Sequence, residues 1–120
     1  MKFVESKEGS TVILRIEGTL KMGEASRELG ARLGSVAETR KGAVVDMSLL
    51  EAIDSTGIGV LVGAWKKFHD AGTPLILAAP SRRVMSSLHI SNLDTLFTIR
   101  ETVKEALAEA ISRSEEPTTP

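Results

Sequence analysis

The stretch from Ala43 to Thr73, AVVDMSLLEAIDSTGIGVLVGAWKKFHDAGT, changes its hydrophobic period once, and that change constrains the rest of the chain. Ala43 to Met47 is mostly apolar and β-favouring, bounded by Lys41-Gly42 and Ser48, which suits a short buried strand. From Ile58 the spacing becomes helical. Ile58, Leu61, Val62, Trp65 and Phe68 form one apolar face, with Lys66, Lys67 and Asp70 off it, and Gly72 and Pro74 stop the helix. A buried strand that feeds a half-buried helix is the building unit of an α/β sheet.

At the join stand Asp54, Ser55, Thr56 and Gly57. Each of the first three carries an oxygen able to accept from the free N–H groups of a helix start, so the plain reading is an N-cap. Gly57 and Gly59 point further. Glycine inside a helix costs on the order of 1 kcal/mol against alanine, and a merely structural helix would avoid that cost. Two glycines leave the Ser55 hydroxyl unshielded, open to another protein.

Asp46-Met47-Ser48, then Ile53-Asp54-Ser55-Thr56-Gly57-Ile58-Gly59-Val60-Leu61, then Gly72 and the strand Leu75 to Leu77, resemble the signature of the STAS domain family. The chain is most similar to the single-domain bacterial anti-sigma factor antagonists, from about Val4 to about Leu107. The resemblance implies a mixed sheet with Ser55 at the start of the second main helix. It implies that Ser55 accepts phosphate from a partner kinase that is also the anti-sigma factor, and that a phosphatase can reset it. Asp54 and Thr56 would then shape the turn, and Gly57, Ile58 and Gly59 would give the partner close access. One position departs from the family pattern. Where the family carries an acidic residue shortly after the glycine ending the second strand, Gly18-Thr19-Leu20-Lys21 has a lysine. Lys21 is therefore counted with the partner surface, as a cation able to pair with a phosphate or as a solvated side chain.

Composition narrows the function classes. Hydrophobic residues at 42% and charged residues at 26% are globular values, and 120 residues suit one domain with a real core. A formal net charge of -1 argues against a general nucleic-acid or anionic-membrane surface. With no cysteine, disulfides, thiolate catalysis and cysteine-based zinc sites are excluded. MKFVESKEGS has no apolar signal-like core, and no apolar run approaches the roughly 20 residues of a membrane helix, so a cytoplasmic protein is expected.

Before the central unit, Phe3-Val4 begins a short strand, Lys7 to Ser10 turns, and Thr11 to Gly18 alternates as a second strand, forming a hairpin with the first. Gly23 to Glu38 reads as a helix, with Gly30 and Gly34 where it lies tight against the sheet. After the central unit come a strand at Pro74 to Ala79, a helix from Pro80-Ser81 to Asn92, a strand at Leu96 to Ile99, and an amphipathic helix at Glu101 to Ile111. The expected fold is α/β: a STAS-type mixed sheet of four to five strands with about four packed helices, residues 1–111 forming the domain and 112–120 a flexible C-terminal tail.

Enzyme readings fare poorly. Gly57-Ile58-Gly59 echoes a dinucleotide-binding pattern, yet the preceding strand ends near Met47, too far upstream, and no acidic residue ends the next strand. His69 and His89 are isolated, so neither a metal site nor a Ser/His/Asp triad is supported. Lys66, Lys67, Arg82 and Arg83 lack interleaved aromatics and read as a solvated face or protein-contact rim. The expectation is a non-enzymatic anti-sigma factor antagonist that binds no cofactor, metal, nucleic acid or membrane. Its partner is an anti-sigma factor serine kinase, bound until Ser55 is phosphorylated. The alternative is a non-phosphorylated STAS scaffold subunit of a larger signalling or transport assembly.

Overall fold

Lys2–Glu8 (β1) and Thr11–Leu20 (β2) form an antiparallel hairpin turned at Gly9, whose φ of 62° suits glycine. A computed structural model describes residues 1–115. After the hairpin come α1 (Glu24–Glu38), β3 (Ala43–Asp46), β4 (Leu50–Ile53), α2 (Ser55–Ala71), β5 (Leu75–Ala78), α3 (Arg82–Ile90), β6 (Thr98–Arg100) and α4 (Val103–Glu115). The sheet runs β1-β2-β3-β5-β6, with β4 paired to the far end of β2; every pairing but that of the hairpin is parallel. β3 and β5 are buried at every position, which is why they read as unbroken apolar runs.

The mixed α/β class and the four helices match the expectation, while the sheet has six strands instead of four or five. The added strand is β4. The first half of β2 pairs with β3, from Val12 beside Ala43 to Arg15 beside Asp46. Its last residues pair with β4, Gly18 beside Leu50 and Leu20 beside Ile53, with a register shift between Gly18 and Thr19. Gly18, at φ 109°, supplies the irregular backbone there.

One face of the sheet, with Leu14, Ile16, Val45 and Leu77, packs against Leu29 and Leu33 of α1, Leu61 and Phe68 of α2, and Val84 and Leu88 of α3. The other face, with Val44, Ile76 and Ala78, is covered by Ala106 and Ala110 of α4. The glycines of α1 serve a different neighbour from the sheet expected for them. A Cβ on Gly30 would stand 3.4 Å from Val60, and one on Gly34 3.1 Å from Lys67 Nζ, so they admit α2. α4 continues through Ser112 to Glu115, past the expected end of the domain; the remainder of the expected tail, 116–120, lies outside the described residues.

Local chemistry sets the helix ends. Gly72 closes α2 at φ 73°, and Asn92, just beyond α3, stands at φ 58°. Ser81 caps α3, its Oγ accepting from the Val84 N–H at 3.1 Å. Ser81→Ala is expected to cost about 1 kcal/mol in urea unfolding, and a change within a few tenths would show that the cap bond contributes nothing.

Candidate functional site

The site grows from the short path between β3 and α2. At the end of β3, Asp46 Oδ1 accepts from the Ser48 N–H at 3.0 Å, and the Leu50 N–H donates to the Met47 carbonyl at 3.0 Å, closing a tight turn into β4. β4 then runs beside β2 and delivers the chain to Asp54, whose N–H donates to the Leu20 carbonyl at 3.0 Å. That bond fixes the height at which α2 begins.

Asp54 is the N-cap of α2, with extended backbone at φ -97°. Its Oδ1 accepts from the Gly57 N–H at 2.9 Å, and its Oδ2 accepts from the Met22 N–H at 3.0 Å. One carboxylate thus holds the helix start and clamps the β2–α1 connection against it. The Gly57 N–H, followed by the Met22 N–H, holds the Asp54 carboxyl below its ordinary pKa of 3.8, because both bonds favour the charged form. A depressed native pKa contributes stability that is present above about pH 4 and is lost as pH falls through the lower native value. Thermal melts from neutral to acid pH should therefore show a loss of Tm below about pH 4 that is smaller in Asp54→Asn. An identical acid profile in the two proteins would remove Asp54 from the acid response.

Ser55 and Thr56 are exposed in the first turn of α2. Because Asp54 supplies the cap, the Ser55 hydroxyl is not spent on it. Of the three oxygen-bearing side chains open as caps in the sequence, the aspartate takes the role.

The remaining candidates divide. Gly57 and Ile58, expected to give a partner close access, are buried against the core of the free chain. A Cβ on Gly57 would come within 2.8 Å of Ile53 Cγ1 and 2.9 Å of Leu20 Cγ, so this glycine lets α2 seat on β2 and β4. Gly59 is exposed, with nothing within 4 Å of an added Cβ, and keeps the reading of open access. Lys21 is exposed on the β2–α1 connection, one residue from the Met22 N–H that bonds Asp54.

Two neighbours escaped the sequence. Met22 stands 76% exposed beside the Asp54 clamp, and Leu49 is 51% exposed at the β3–β4 turn, where its carbonyl accepts from the Gly18 N–H. Nothing in the local pattern separates these from core residues. The histidines lie elsewhere: His69 stacks on Trp65 with ring centroids 4.9 Å apart, and His89 Nδ1 is 2.8 Å from Asp94. A hollow of about 480 Å³, lined by Pro80, Met85, Asp94, Phe97, Ile99, Arg100 and Glu101, shares no residue with the Ser55 site. Among the described residues no cluster of three potential metal ligands occurs, and no helix is long and apolar enough to cross a membrane.

Fold and site together define a class: a mixed α/β domain offering a serine hydroxyl beside an aspartate cap at a helix start. The family model described as STAS domain matches residues 4–106, and the chain belongs to the STAS domain family. A Thermotoga neapolitana protein provisionally named an anti-sigma factor antagonist is 39% identical over 67 residues, covering 56% of this chain and 59% of that protein. The chain thus matches little more than half the length of this relative. Among solved structures, a Thermotoga maritima protein with the same provisional name superposes with a TM-score of 0.82 at 26% identity, over 91% of this chain and 94% of that one. The anti-sigma factor antagonist SpoIIAA in its unphosphorylated form gives 0.79 at 21%, over 92% and 97%; the phosphorylated form, from Bacillus, gives 0.71 at 21%, over 90% and 98%. The chain therefore has the fold of the anti-sigma factor antagonists.

Proposed function

We propose that this protein is an anti-sigma factor antagonist that works as a partner switch. Unmodified, it binds an anti-sigma factor that is also a serine kinase, and the sigma factor is freed. Phosphorylation of Ser55 ends the binding. In that step Ser55 Oγ bonds to the γ-phosphorus of kinase-bound ATP, the bond to ADP breaks, and the hydroxyl proton passes to a base on the kinase. The protein is the substrate in this reaction, not an enzyme, and acts in the cytoplasm; a phosphatase restores the binding form.

The observation that carries this reading is the exposed Ser55 hydroxyl, relieved of capping by Asp54. The existence of SpoIIAA in unphosphorylated and phosphorylated forms on the same fold supports it. Electrostatics supply the mechanism. A phosphate adds about −1.5 to −2 charge beside the Asp54 carboxylate, and against a close-fitting partner that charge is repelled or desolvated. Within the free protein the start of α2 favours the same anion, so the modified form stays folded and the change is felt by the partner.

The second reading is a STAS subunit of a larger signalling or transport assembly, in which the exposed Lys21 is a solvated side chain and Ser55 is never modified. Intact-mass spectrometry with site mapping separates the two, after incubation with ATP and the anti-sigma-type kinases of the source cell, on wild type and Ser55→Ala. A single phosphate on Ser55, absent from the variant, is the outcome of the switch. No phosphate with any kinase overturns it in favour of the scaffold.

A further inference from the structure

The β2–α1 connection carries a lysine with no counter-charge of its own. Lys21 is exposed and, among the described residues, forms no ion pair. Its backbone is nonetheless held firmly. On one side the Leu20 carbonyl accepts from the Asp54 N–H at 3.0 Å, and on the other the Met22 N–H donates to Asp54 Oδ2 at 3.0 Å. The Lys21 carbonyl itself accepts from Ser26 Oγ at 2.6 Å. Both chain neighbours of Lys21 are thus bonded to the residue that precedes Ser55. A lysine stem reaches roughly 6 Å from its Cα and ends in three donors that swing freely, and its base is anchored through both chain neighbours to the residue beside Ser55.

The charge balance makes that meeting favourable. Across 18–24 and 50–57, the segments that form the site, Lys21 is the lone cation, against Glu24, Glu51 and Asp54. A phosphate on Ser55 raises the local negative charge further, and Lys21 is the cation these segments carry to offset it. Asp54 does not hold the ammonium in an ion pair; its two oxygens accept from Gly57 and Met22.

We propose that Lys21 is the counter-ion of modified Ser55: once the serine carries phosphate, the Lys21 ammonium closes on it and ties the β2–α1 connection to the start of α2. This rests on Ser55 being the modified residue. It gives the lysine a role in regulation, because the modified state gains an internal ion pair that the unmodified state lacks.

The test uses phosphoserine placed at position 55 during translation, so it depends on no kinase. Phosphorus NMR then follows the phosphate titration in wild type, Lys21→Gln, Lys21→Glu and Lys21→Arg. Lys21 is exposed, so each variant is expected to melt as wild type does. The midpoint is lowest in wild type, rises by roughly half to one pH unit in Lys21→Gln, rises further in Lys21→Glu, and returns to the wild-type value in Lys21→Arg. Equal midpoints in wild type, Lys21→Gln and Lys21→Glu overturn the pairing, as does a Lys21→Arg midpoint that stays with that of Lys21→Gln. The kinase experiment fails separately: a lysine-dependent midpoint without kinase phosphorylation upholds the ion pair and removes the switch, and phosphorylation with equal midpoints does the reverse.

Discussion

Under the proposed partner switch, Ser55→Asp is expected to weaken binding to the anti-sigma factor kinase by roughly a hundredfold, or about 3 kcal/mol, while leaving the domain as stable as wild type or slightly more so. The two halves of this prediction have opposite signs because the same carboxylate meets two environments. In the free protein it stands exposed in the first turn of α2, which holds no acidic residue, where an anion near the helix start contributes about 0.3 to 1 kcal/mol. In the proposed complex the same carboxylate would be desolvated against a partner that otherwise meets a neutral hydroxyl. Ser55→Ala adds no charge and keeps wild-type affinity while losing the phosphate. Calorimetric titration against the kinase, alongside urea unfolding of the free variants, reads both halves. Wild-type affinity in Ser55→Asp would dispose of the charge mechanism, and a lower unfolding midpoint would mean that a folding defect causes the lost binding.

The opposite signs follow from the division of labour at the helix start. Had the serine been the cap, modification would have cost the helix its first hydrogen bond, and loss of partner binding would be inseparable from loss of structure. With Asp54 accepting from both Gly57 and Met22, the frame around Ser55 is built by backbone donors and a neighbouring side chain. Ser55 takes no part in the cap, so a charge placed on it would leave the helix start that presents it intact.

Elements with a strong apolar signal were legible in the chain. β3, β5 and α2 sit where period and flanking residues put them, within a residue or two at the strand ends, because burial on both faces or along one stripe leaves a direct imprint. The start of α2 at Ser55 lies three residues before Ile58, where the apolar stripe begins, since its first turn is polar. β4 was hidden for another reason. Leu50 and Ile53 are its buried residues and Glu51 lies exposed between them, too few positions for an alternation to show, and its pairing depends on a register shift in a distant strand. The tie between Met22 and Asp54 left no trace either, because its donor is a backbone N–H that every residue but proline carries. Residue types revealed Asp54 and Ser55 as candidates; only the fold distinguishes which of them caps.

The glycines of α2 carry that lesson into a measurement, since the sequence treats Gly57 and Gly59 alike and the structure does not. A methyl group on Gly57 would come within 3 Å of Ile53 Cγ1 and Leu20 Cγ, atoms close to the main chain of buried strands that have little room to yield. Gly57→Ala is therefore expected to destabilise by about 1 to 3 kcal/mol, overpacking outweighing the gain in helix propensity, and the bulkier β-branched Gly57→Val by more than 3 kcal/mol. Gly59 faces open space, so Gly59→Ala meets no obstacle and stabilises by roughly 0.5 to 1 kcal/mol. Urea unfolding of the three variants gives the signs directly. If Gly57→Ala proved as stabilising as Gly59→Ala, the close seating of α2 on β2 and β4 would be wrong. Gly59→Ala carries a second consequence: where the partner approaches the backbone of α2 closely, the added methyl lowers affinity in the same protein whose stability it raises. A gain in stability with unchanged partner binding would place the contact surface away from Gly59, toward Ser55, Met22 and Lys21.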